Sequence, residues 1–294
     1  MPVSRAVRAH AFAKINLGLR VLGTRPDGYH ELRTTFQSIA LHDTLVFTRV
    51  SGPFRIECAD PACPTDRTNL VWRAAETMWR LARRRGPIRD LVVTIQKRIP
   101  VQGGLGGGSS DAATTLRALS VMWRLSLDEP TLQRLALRLG ADVPYFLEGG
   151  TVLGLERGDL LFPLIDIPPS WVVIVVSDFG VSTKEAFGWF DRMRRTPGVR
   201  RPVQGILGLR FRDLGNDLEA PVSVHHPEIG MSVRRLRRAG AVHAAMTGSG
   251  STVFGVFESR ESAVRAAEIL GGRRCRTIVT RTLTRRECQA LAAK

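Results

Sequence analysis

The amino-acid sequence predicts an α+β protein of two domains, and three observations carry this prediction. A strand-like run, a glycine-rich stretch and a helix-like run follow one another between residues 91 and 123. After a proline-containing break near residue 160, single strands alternate with helices in a plan close to a split βαβ unit, the ferredoxin-like arrangement. The 294 residues suit one large or two ordinary domains, and a hydrophobic content of 44% can fill a real core. We therefore expect an N-terminal domain over residues 1–160 and a C-terminal domain over residues 161–294.

The first predicted element is a strand from Ala9 to Val21. Apolar side chains alternate along it, which places Lys14 and Asn16 side by side on the opposite face. Only four of the 43 lysines and arginines are lysines, so a lysine is informative here, because an ammonium is a compact point charge and a guanidinium is not. Two interpretations stay open: this face is a solvated strand surface, or it carries two functional side chains.

A tight turn follows in the segment RPDGYHEL, from Arg25 to Leu32. Proline fixes φ and glycine accepts a positive φ, so the sequence Pro-Asp-Gly predicts a turn. Tyr29 and His30 come directly after the turn, and an aromatic face beside a hydrogen-bonding imidazole suits a planar heterocycle. A turn that only docks its tyrosine on the core is the competing interpretation. Further strands are expected over residues 34–50.

The glycine-rich stretch reads IPVQGGLGGGSSDAA over residues 99–113. Alternation over residues 91–96 predicts the strand before it, and helical spacing over residues 112–123 predicts the helix after it. The Ser-Ser-Asp of residues 109–111 stands where an N-cap belongs. A glycine loop that leads into a helix N-terminus favours an anion, although such a loop can also be a plain flexible turn. The Walker A lysine and the last glycine of the dinucleotide motif are both missing, so we expect a nucleoside triphosphate in a different cradle.

Two shorter motifs complete the candidates. Asp142 stands alone as a carboxylate in the apolar segment LGADVPYF. Such a residue usually caps a turn, but in a pocket it could act as a general base. The segment TGSGS of residues 247–251 lies between two predicted strands; it is a hairpin turn or a second phosphate-facing loop.

The remaining elements follow from periodicity. Helices are expected at residues 70–85 and 132–139 of the N-terminal part. The predicted order of the C-terminal part is a strand at 171–177, helices at 183–195 and around 228–238, strands at 241–246 and 252–257, a helix at 261–270 and a last strand near 277–282.

Composition excludes several other classes of protein. The net charge of +16 suggests nucleic-acid binding, but the arginines are spread over many helices with few aromatic residues between them, which is more typical of solvated surfaces. No apolar run approaches the roughly 20 residues that span a bilayer, and the N-terminus has no secretory hydrophobic region. The cysteines show no metal or disulfide spacing, and we expect a cytoplasmic protein; they are Cys58, Cys63, Cys275 and Cys288.

Three stretches together resemble the GHMP kinase superfamily: the AKINL strand, the loop that runs from Pro100 through GLGGGSS, and the late TGSGST turn. Within the superfamily, AKINLGL, RPDGYHEL, IPVQGGLGGGSSDAATTL and LGADVPYF are similar to motifs of the members that phosphorylate a CDP-linked methylerythritol on its 2-hydroxyl, in non-mevalonate isoprenoid synthesis. The resemblance implies an N-terminal α/β nucleotide-binding domain, a C-terminal split-βαβ domain and an active site in the cleft between them.

The resemblance also implies the catalytic and ATP-binding residues. Asp142 would take the proton of the attacking hydroxyl, and Lys14 would orient Asp142 and offset developing charge. ATP is the expected co-substrate, and Mg²⁺ is expected to arrive with it. The implied ATP-binding residues are Lys97, on the adenine side, and Pro100, Gly103, Gly104, Leu105, Gly106, Gly107, Gly108, Ser109 and Ser110. Asp111 is expected to cap the helix.

A third set of implied residues binds the cytidyl substrate. Tyr29 would stack on the cytosine, His30 would bond the edge of the base, and Phe187 would close the other face. Asn16 would hold the substrate beside Lys14, and the late turn would add contacts from Gly248 and Ser249. The expected partners are this small molecule and ATP, with no nucleic acid and no membrane, in a monomer or homodimer.

Two competing functions stay open at this point. One is another GHMP small-molecule kinase, of the homoserine or mevalonate type, against which RPDGYHEL argues because a cytidine pocket serves no purpose there. The other is a basic nucleic-acid-binding protein on a kinase-like scaffold. Such a protein would bind polynucleotides with strong salt dependence and would not turn over ATP.

Overall fold

The computed structural model describes residues 6–101, 103–194, 214–272 and 275–292. Within them the chain forms two β-sheets with helices packed on each, which confirms the predicted α+β class. No helix in these ranges combines the length and the apolar character that a membrane span requires. The expected loop between the helices near residues 183 and 228 falls largely on residues 195–213, outside the described residues.

The first sheet has the order β3-β4-β2-β5-β6, and β1 pairs with β2 off this path. Its centre is a long antiparallel hairpin of β1 and β2, and only the pair β3 and β4 is parallel. The strands described are β1 (Val7–Thr24), β2 (His30–Thr48), β3 (Arg55–Cys58), β4 (Val92–Gln96), β5 (Thr151–Glu156) and β6 (Leu160–Pro163). Because β6 pairs with β5, this sheet extends slightly past residue 160, and the domain division stays a prediction.

Four helices cover one side of this sheet and form its core with β2 and β4. They are α1 (Leu70–Leu81), α2 (Gly107–Met122), α3 (Glu129–Leu139) and α4 (Val143–Glu148). Fully buried apolar side chains from these elements meet in one cluster, with Leu45, Val93, Met78 and Leu116 among them. Burial of this kind stabilises the fold by about 25 cal/mol per Å² of apolar surface. Helix α2 lies in the middle of this layer, so the start of α2 is rigidly placed.

The second sheet has the order β10-β7-β9-β8 and is antiparallel throughout. Its elements are β7 (Trp171–Ser177), α5 (Thr183–Arg194), α6 (Glu219–His225), α7 (Pro227–Arg238), β8 (His243–Met246), β9 (Val253–Phe257), α8 (Arg260–Leu270), β10 (Cys275–Arg281) and α9 (Arg285–Ala292). In this order the first strand, β7, lies next to the last strand, β10, and the two middle strands, β9 and β8, lie on the other side of β7. This is the predicted split-βαβ plan.

Strand β1 belongs to the first sheet and packs against the second sheet. Ala13, Ile15 and Leu17 join a core cluster with residues of β7 and β9, while Leu19 and Val21 pack with the helices of the second sheet. Both faces of β1 are therefore buried over most of its length, and Lys14 and Asn16 are buried with it. The solvated-face interpretation of these two residues is wrong.

Several helix assignments differ from the sequence prediction; α4 and α6, for example, were not predicted. Helix α1 ends at Leu81 instead of residue 85, because Arg83 adopts a φ of 55° and the N–H of Arg84 turns back to the carbonyl of Trp79. Helix α9 was not predicted, although Thr284 and Glu287 form a reciprocal capping box at its start, with bonds of 2.9 and 3.2 Å.

Candidate active site

A cleft of about 1350 Å³ is lined by residues of β1 and β2, of α2, α3 and α5, of the glycine-rich loop and of the turn after β8. A pocket for one small molecule typically measures about 300–1,000 Å³, so this cleft has room for two ligands. Nearly all of the site residues predicted from sequence, between Lys14 and Ser249, line this cleft. The one that does not line it is Ser110.

The glycine-rich loop closes tightly against its neighbours. Gly104 and Gly106 have φ of 73° and 72°, in the left-handed region that favours glycine. A Cβ on Gly104 would lie 2.5 Å from the carbonyl oxygen of Thr247, and one on Gly106 would lie 2.5 Å from the Cζ of Phe146. Glycine is therefore required at both positions by the fold itself, before any ligand is considered.

Helix α2 begins earlier than its sequence suggests. Gly106 is its N-cap and makes no side-chain capping bond, so the prediction that residues 109–111 cap the helix is wrong. The physical reason is that a left-handed glycine can end the loop without a polar side chain. The first turn of α2, Gly107 to Ser109, faces the cleft, and N–H groups of a first turn have no partner within their helix. These donors and the positive end of the helix make this turn a candidate anion site.

Ser110 does not belong to this anion site. Its N–H donates to the carbonyl oxygen of Gly106 at 2.9 Å, and its hydroxyl donates to the carbonyl oxygen of Phe12 at 2.7 Å. The side chain is buried on the far side of the helix. The structure therefore contradicts a phosphate contact from Ser110; the residue attaches α2 to β1 instead.

Lys14 and Asp142 meet directly beside the glycine loop. The Lys14 side chain is buried, the residue being 4% exposed, and its Nζ donates to Oδ1 of Asn16 at 2.7 Å. The same Nζ lies 3.7 Å from Oδ2 of Asp142, whose side chain is 38% exposed. Asp142 stands at the N-cap of α4 but makes no capping bond, so its carboxylate stays available to the cleft. A fixed ammonium beside an accessible carboxylate can stabilise negative charge and accept a proton.

Asn16 is held by contacts on several sides. Its Nδ2 donates to Oγ1 of Thr34 at 2.7 Å, and its N–H donates to Oγ1 of Thr247 at 3.0 Å. The hydroxyl of Thr247 also lies 3.2 Å from Oδ1 of Asn16. The late turn, with Gly248 and Ser249 on the cleft surface, is thus joined directly to the strand that carries Lys14.

The predicted cytidine residues form a second wall of the cleft. Tyr29 is 59% exposed, and the guanidinium of Arg157 lies 5.5 Å from its ring centroid. His30 stacks on Phe187 with ring centroids 4.5 Å apart, and its Nε2 lies 3.0 Å from Oδ1 of Asp191. Phe187 therefore packs against His30 at the cleft surface, and its predicted place on the other face of the base stays a prediction.

Lys97 lines the cleft, and its predicted contact on the adenine side stays a prediction. Its Nζ forms ion pairs with Oδ2 of Asp43 and, at 3.0 Å, with Oδ2 of Asp111, and all three side chains are buried. Burial disfavours the charged ammonium, but the carboxylates of Asp111 and Asp43 outweigh it and hold the pKa of Lys97 above its ordinary value. The ammonium is therefore already paired where it borders the cleft, and the predicted capping role of Asp111 is wrong.

Several residues of the site were missed by sequence reasoning. Asp43 lies in a strand without any motif, and Arg157 and Asp191 lie in segments that show only ordinary charge patterns. Asn69 and Thr68 line the cleft at the start of α1, where Asn69 caps the helix by accepting from the N–H of Val71. The capping preference of asparagine before an apolar run is a signal that could have identified this last position.

Within the described ranges, no group of three or more His, Cys, Asp or Glu side chains is placed to hold a metal ion. The donors that face the anion site are backbone N–H groups and the Ser109 hydroxyl. This donor set suits phosphate oxygens, which in turn are the ligands that Mg²⁺ retains in nucleotide complexes.

Two family models match the chain. The model described as GHMP kinases N terminal domain matches residues 69–150, and the model described as GHMP kinases C terminal matches residues 205–276. A relative from Solibacter usitatus, named 4-diphosphocytidyl-2-C-methyl-D-erythritol kinase, is 43% identical over 92% of this chain and 87% of its own length. A relative of the same name from Moorella thermoacetica is 42% identical over 93% of this chain and 98% of its own length.

Solved structures give a consistent comparison. A crystal structure of 4-(cytidine 5'-diphospho)-2C-methyl-D-erythritol kinase matches with a TM-score of 0.78 and 36% identity, over 94% of this chain and 98% of that one. A homoserine kinase from Cytophaga hutchinsonii matches with a TM-score of 0.68 at 16% identity, over 97% and 96% of the two chains. At that identity the second likeness concerns the fold alone.

Proposed function

Since the chain belongs to the 4-diphosphocytidyl-2-C-methyl-D-erythritol kinase family of the GHMP kinases, we propose that it transfers the γ-phosphoryl group of ATP to the 2-hydroxyl of 4-(cytidine 5'-diphospho)-2-C-methyl-D-erythritol. The products are the 2-phosphate and ADP. One observation carries the proposal beyond the family: a single cleft contains a backbone anion site, an ammonium beside a carboxylate, and an aromatic wall.

The proposed mechanism follows from these parts. Phosphoryl transfer depends mostly on positioning and on electrostatic stabilisation, with little covalent work for the protein. Asp142 accepts the proton of the attacking hydroxyl, for which its exposed carboxylate is available. Lys14 lies too far from Asp142 for a strong hydrogen bond, at 3.7 Å, and acts as a fixed positive charge held by Asn16. It orients the carboxylate and offsets the charge that develops on the transferred group.

The ATP phosphates are proposed to bind at the first turn of α2. Gly107, Gly108 and Ser109 offer N–H donors there, and the loop before them brings its backbone close to the ligand. Mg²⁺, when bound with ATP, neutralises phosphate charge. The loop is also joined to the catalytic strand, because the N–H of Lys14 donates to the carbonyl oxygen of Leu105 at 3.0 Å. This bond fixes the position of the proposed phosphate site relative to the side chain of Lys14.

The cytidine is proposed to lie on Tyr29, whose ring has a solvent-accessible face. Because Nε2 of His30 already faces Asp191, only Nδ1 of His30 is left to bond the edge of the base. The stacked pair of His30 and Phe187 supports the base from the side. Base recognition by one stacking ring and one hydrogen-bonding ring accounts for specificity toward a cytidyl alcohol.

The experiment that tests the proposed function is an ADP-release assay across a panel of alcohols. The panel contains the cytidyl methylerythritol, mevalonate and homoserine, because the folds of kinases for the last two are shared. We expect turnover with the cytidyl substrate only. Turnover with mevalonate or homoserine, and none with the cytidyl compound, would assign the chain to another GHMP activity.

Removal of the stacking ring should affect one substrate selectively. Base stacking on an aromatic side chain contributes about 1–3 kcal/mol per base in single-strand nucleic-acid binders. Tyr29→Ala should therefore raise the KM for the cytidyl substrate by about 5- to 150-fold, since 1.4 kcal/mol is about tenfold. The KM for ATP should stay close to its original value. Tyr29→Phe is the matched control, because it keeps the ring; equal damage to both KM values in Tyr29→Ala would make Tyr29 a structural residue.

The anion site can be blocked without straining the fold. A Cβ on Gly108 meets no atom within 4 Å, and Gly108 lines the cleft, so Gly108→Val places its methyl groups where phosphates are expected. We expect the Kd for ATP, measured by calorimetry, to rise at least about tenfold. Gly106 is less suitable for this test, since a Cβ there would strike Phe146.

The control for this variant is Gly23→Val, in strand β1 and away from the cleft, where a Cβ also meets nothing within 4 Å. Both variants should unfold at nearly the temperature of the parent protein. An unchanged affinity for ATP in a folded Gly108→Val protein would show that the phosphates bind elsewhere.

We further propose a cytoplasmic monomer or homodimer that does not bind nucleic acid, with the domain division near residue 160. The spread of arginines over separate helices, without interleaved aromatic residues, supports the absence of a nucleic-acid surface. Filter binding of polynucleotides at low and high salt tests the absence of nucleic-acid binding, and light scattering tests the oligomeric state.

A further inference from the structure

Three buried charged residues lie at the base of the glycine-rich loop: Asp43 on β2, Lys97 just after β4, and Asp111 on α2. The two carboxylates meet at one ammonium, the Nζ of Lys97. The residues come from three separate elements and are far apart in sequence. None of them takes part in the proton transfer proposed above.

Asp43 secures the strand side of the loop. Besides Lys97, it accepts from the N–H of Arg98 and, at 2.9 Å, from the N–H of Ile99, both through Oδ1. These two residues lead directly into the loop. The carboxylate therefore fixes the backbone at the point where the chain leaves β4.

Asp111 secures the helix side of the loop. It accepts from Nζ of Lys97 at 3.0 Å through Oδ2, and it stands in the second turn of α2. The lysine also lies close to the start of this helix: a Cβ on Gly107 would be 3.2 Å from its Nζ. One ammonium thus joins both ends of the loop that is proposed to hold the phosphates.

The charges of this cluster do not balance. Two carboxylates face one ammonium, and Oδ1 of Asp111 is buried without a hydrogen-bond partner among the described residues. A buried charge that lacks partners is costly, so the neutral acid is favoured. Burial raises the pKa of Asp111 to about 7, although the charge of Lys97 opposes the rise. The raised pKa brings the ionisation of Asp111 toward the neutral range.

The other titratable groups that face Asp111 are Lys97, Asp43 and Cys63. The pKa of Lys97 is held above its ordinary value by the two carboxylates. Burial and the neighbouring Cys58 raise the pKa of the Cys63 thiol to about 12, so the thiol stays neutral. When Asp111 is ionised, the cluster carries one net negative charge directly behind the anion site; when it is protonated, the cluster is neutral.

We propose that Asp111 is a positioning residue of the ATP site, which holds the glycine-rich loop through Lys97 and couples ATP binding to its own protonation. The inference rests on the proposed function for the identity of the ligand. A triphosphate at α2 is repelled by an ionised Asp111 and not by a neutral one, so binding should weaken as the pH rises through neutrality. By reciprocity, bound nucleotide favours the protonated acid.

The test compares two variants with the parent protein. Asp111→Asn keeps the acceptor for Lys97 and removes the charge, whereas Asp111→Ala removes both. Calorimetry with a non-hydrolysable ATP analogue from pH 6 to pH 8.5 gives Kd for each. Over this pH range the affinity of the parent should fall by a factor at least about fivefold larger than that of Asp111→Asn. Fivefold is the lower end of the coupling factors typical of linked sites. Titration of the analogue itself cancels in this comparison. Asp111→Ala should bind more weakly than Asp111→Asn at every pH, because the loop has lost its attachment to α2.

The surface variant Asp90→Asn is the control for a general change of charge, and it should follow the parent. Equal pH slopes in the parent and Asp111→Asn would overturn the proposal. If the variants do not fold, carboxyl ¹³C titration of aspartate in the parent protein decides: the aspartate that titrates near neutrality should do so at higher pH with nucleotide bound, and an unchanged titration overturns the proposal. Absence of nucleotide binding by the parent at every pH would instead refute the proposed kinase function.

Discussion

Asp142→Asn is expected to lower kcat by about 10²- to 10⁴-fold, the usual contribution of a general base. The amide keeps the shape of the carboxylate but cannot accept the proton of the attacking hydroxyl. Asp142 is also suited to a clean test, because its side chain makes no capping bond to α4 and is 38% exposed, so little stability should be lost with it. The KM values for both substrates should change little, since the loss is confined to the transition state.

The matched control for this change is Glu148→Gln on the same helix. Glu148 pairs with Arg285 at 2.9 Å and does not line the cleft, so the same loss of charge there should leave kcat unchanged. Steady-state kinetics with the cytidyl alcohol and ATP measure both variants. Near-normal turnover by Asp142→Asn would mean that another base or a solvent route removes the proton, and the mechanism proposed here would be wrong.

Local sequence patterns predicted most of the elements and most of the cleft. The alternation of β1 and the strand, loop and helix around residues 91–123 are local properties, and strand β7 was predicted with its observed bounds. The split-βαβ order of the second sheet followed from the alternation of its strands and helices, and the sheet confirms it.

The errors concern features that depend on the surroundings of a residue. The N-cap of α2 was assigned to polar residues by their usual preference, but a left-handed Gly106 caps the helix because Phe146 and Lys14 leave no room for a side chain. The solvated interpretation of the Lys14 face failed because the glycine-rich loop and the late turn pack against β1 there, which alternation within one strand cannot reveal. Tertiary packing decided both cases.

The Asp43, Lys97 and Asp111 cluster shows the same limit for the site. Lys97 stands next to the glycine loop in sequence, so a direct ligand contact was a reasonable prediction. Its partners lie 54 residues before it and 14 residues after it, and their meeting is set by the pairing of β2 with β4 and by the packing of α2. No spacing rule within one segment predicts such a contact. The role proposed for Lys97 is therefore to act on the proposed ATP site through the loop that it fixes.

Lys14→Ala is expected to lower kcat by about the same factor as Asp142→Asn, about 10²- to 10⁴-fold, because the ammonium both orients that carboxylate and offsets the charge on the transferred phosphoryl group. The double variant should be little worse than either single one, since residues that act as a unit give strongly non-additive losses. Lys14→Arg should not restore activity. The ammonium is 4% exposed, between Asn16 and the ring of Phe36, and a planar guanidinium does not fit a site shaped for a compact charge. Lys14→Met keeps most of the buried volume, so its unfolding temperature and its ATP affinity separate a lost charge from a damaged fold. Losses that add fully in the double variant would show that Lys14 and Asp142 act independently, and substantial activity in Lys14→Arg would show that a compact charge is not required.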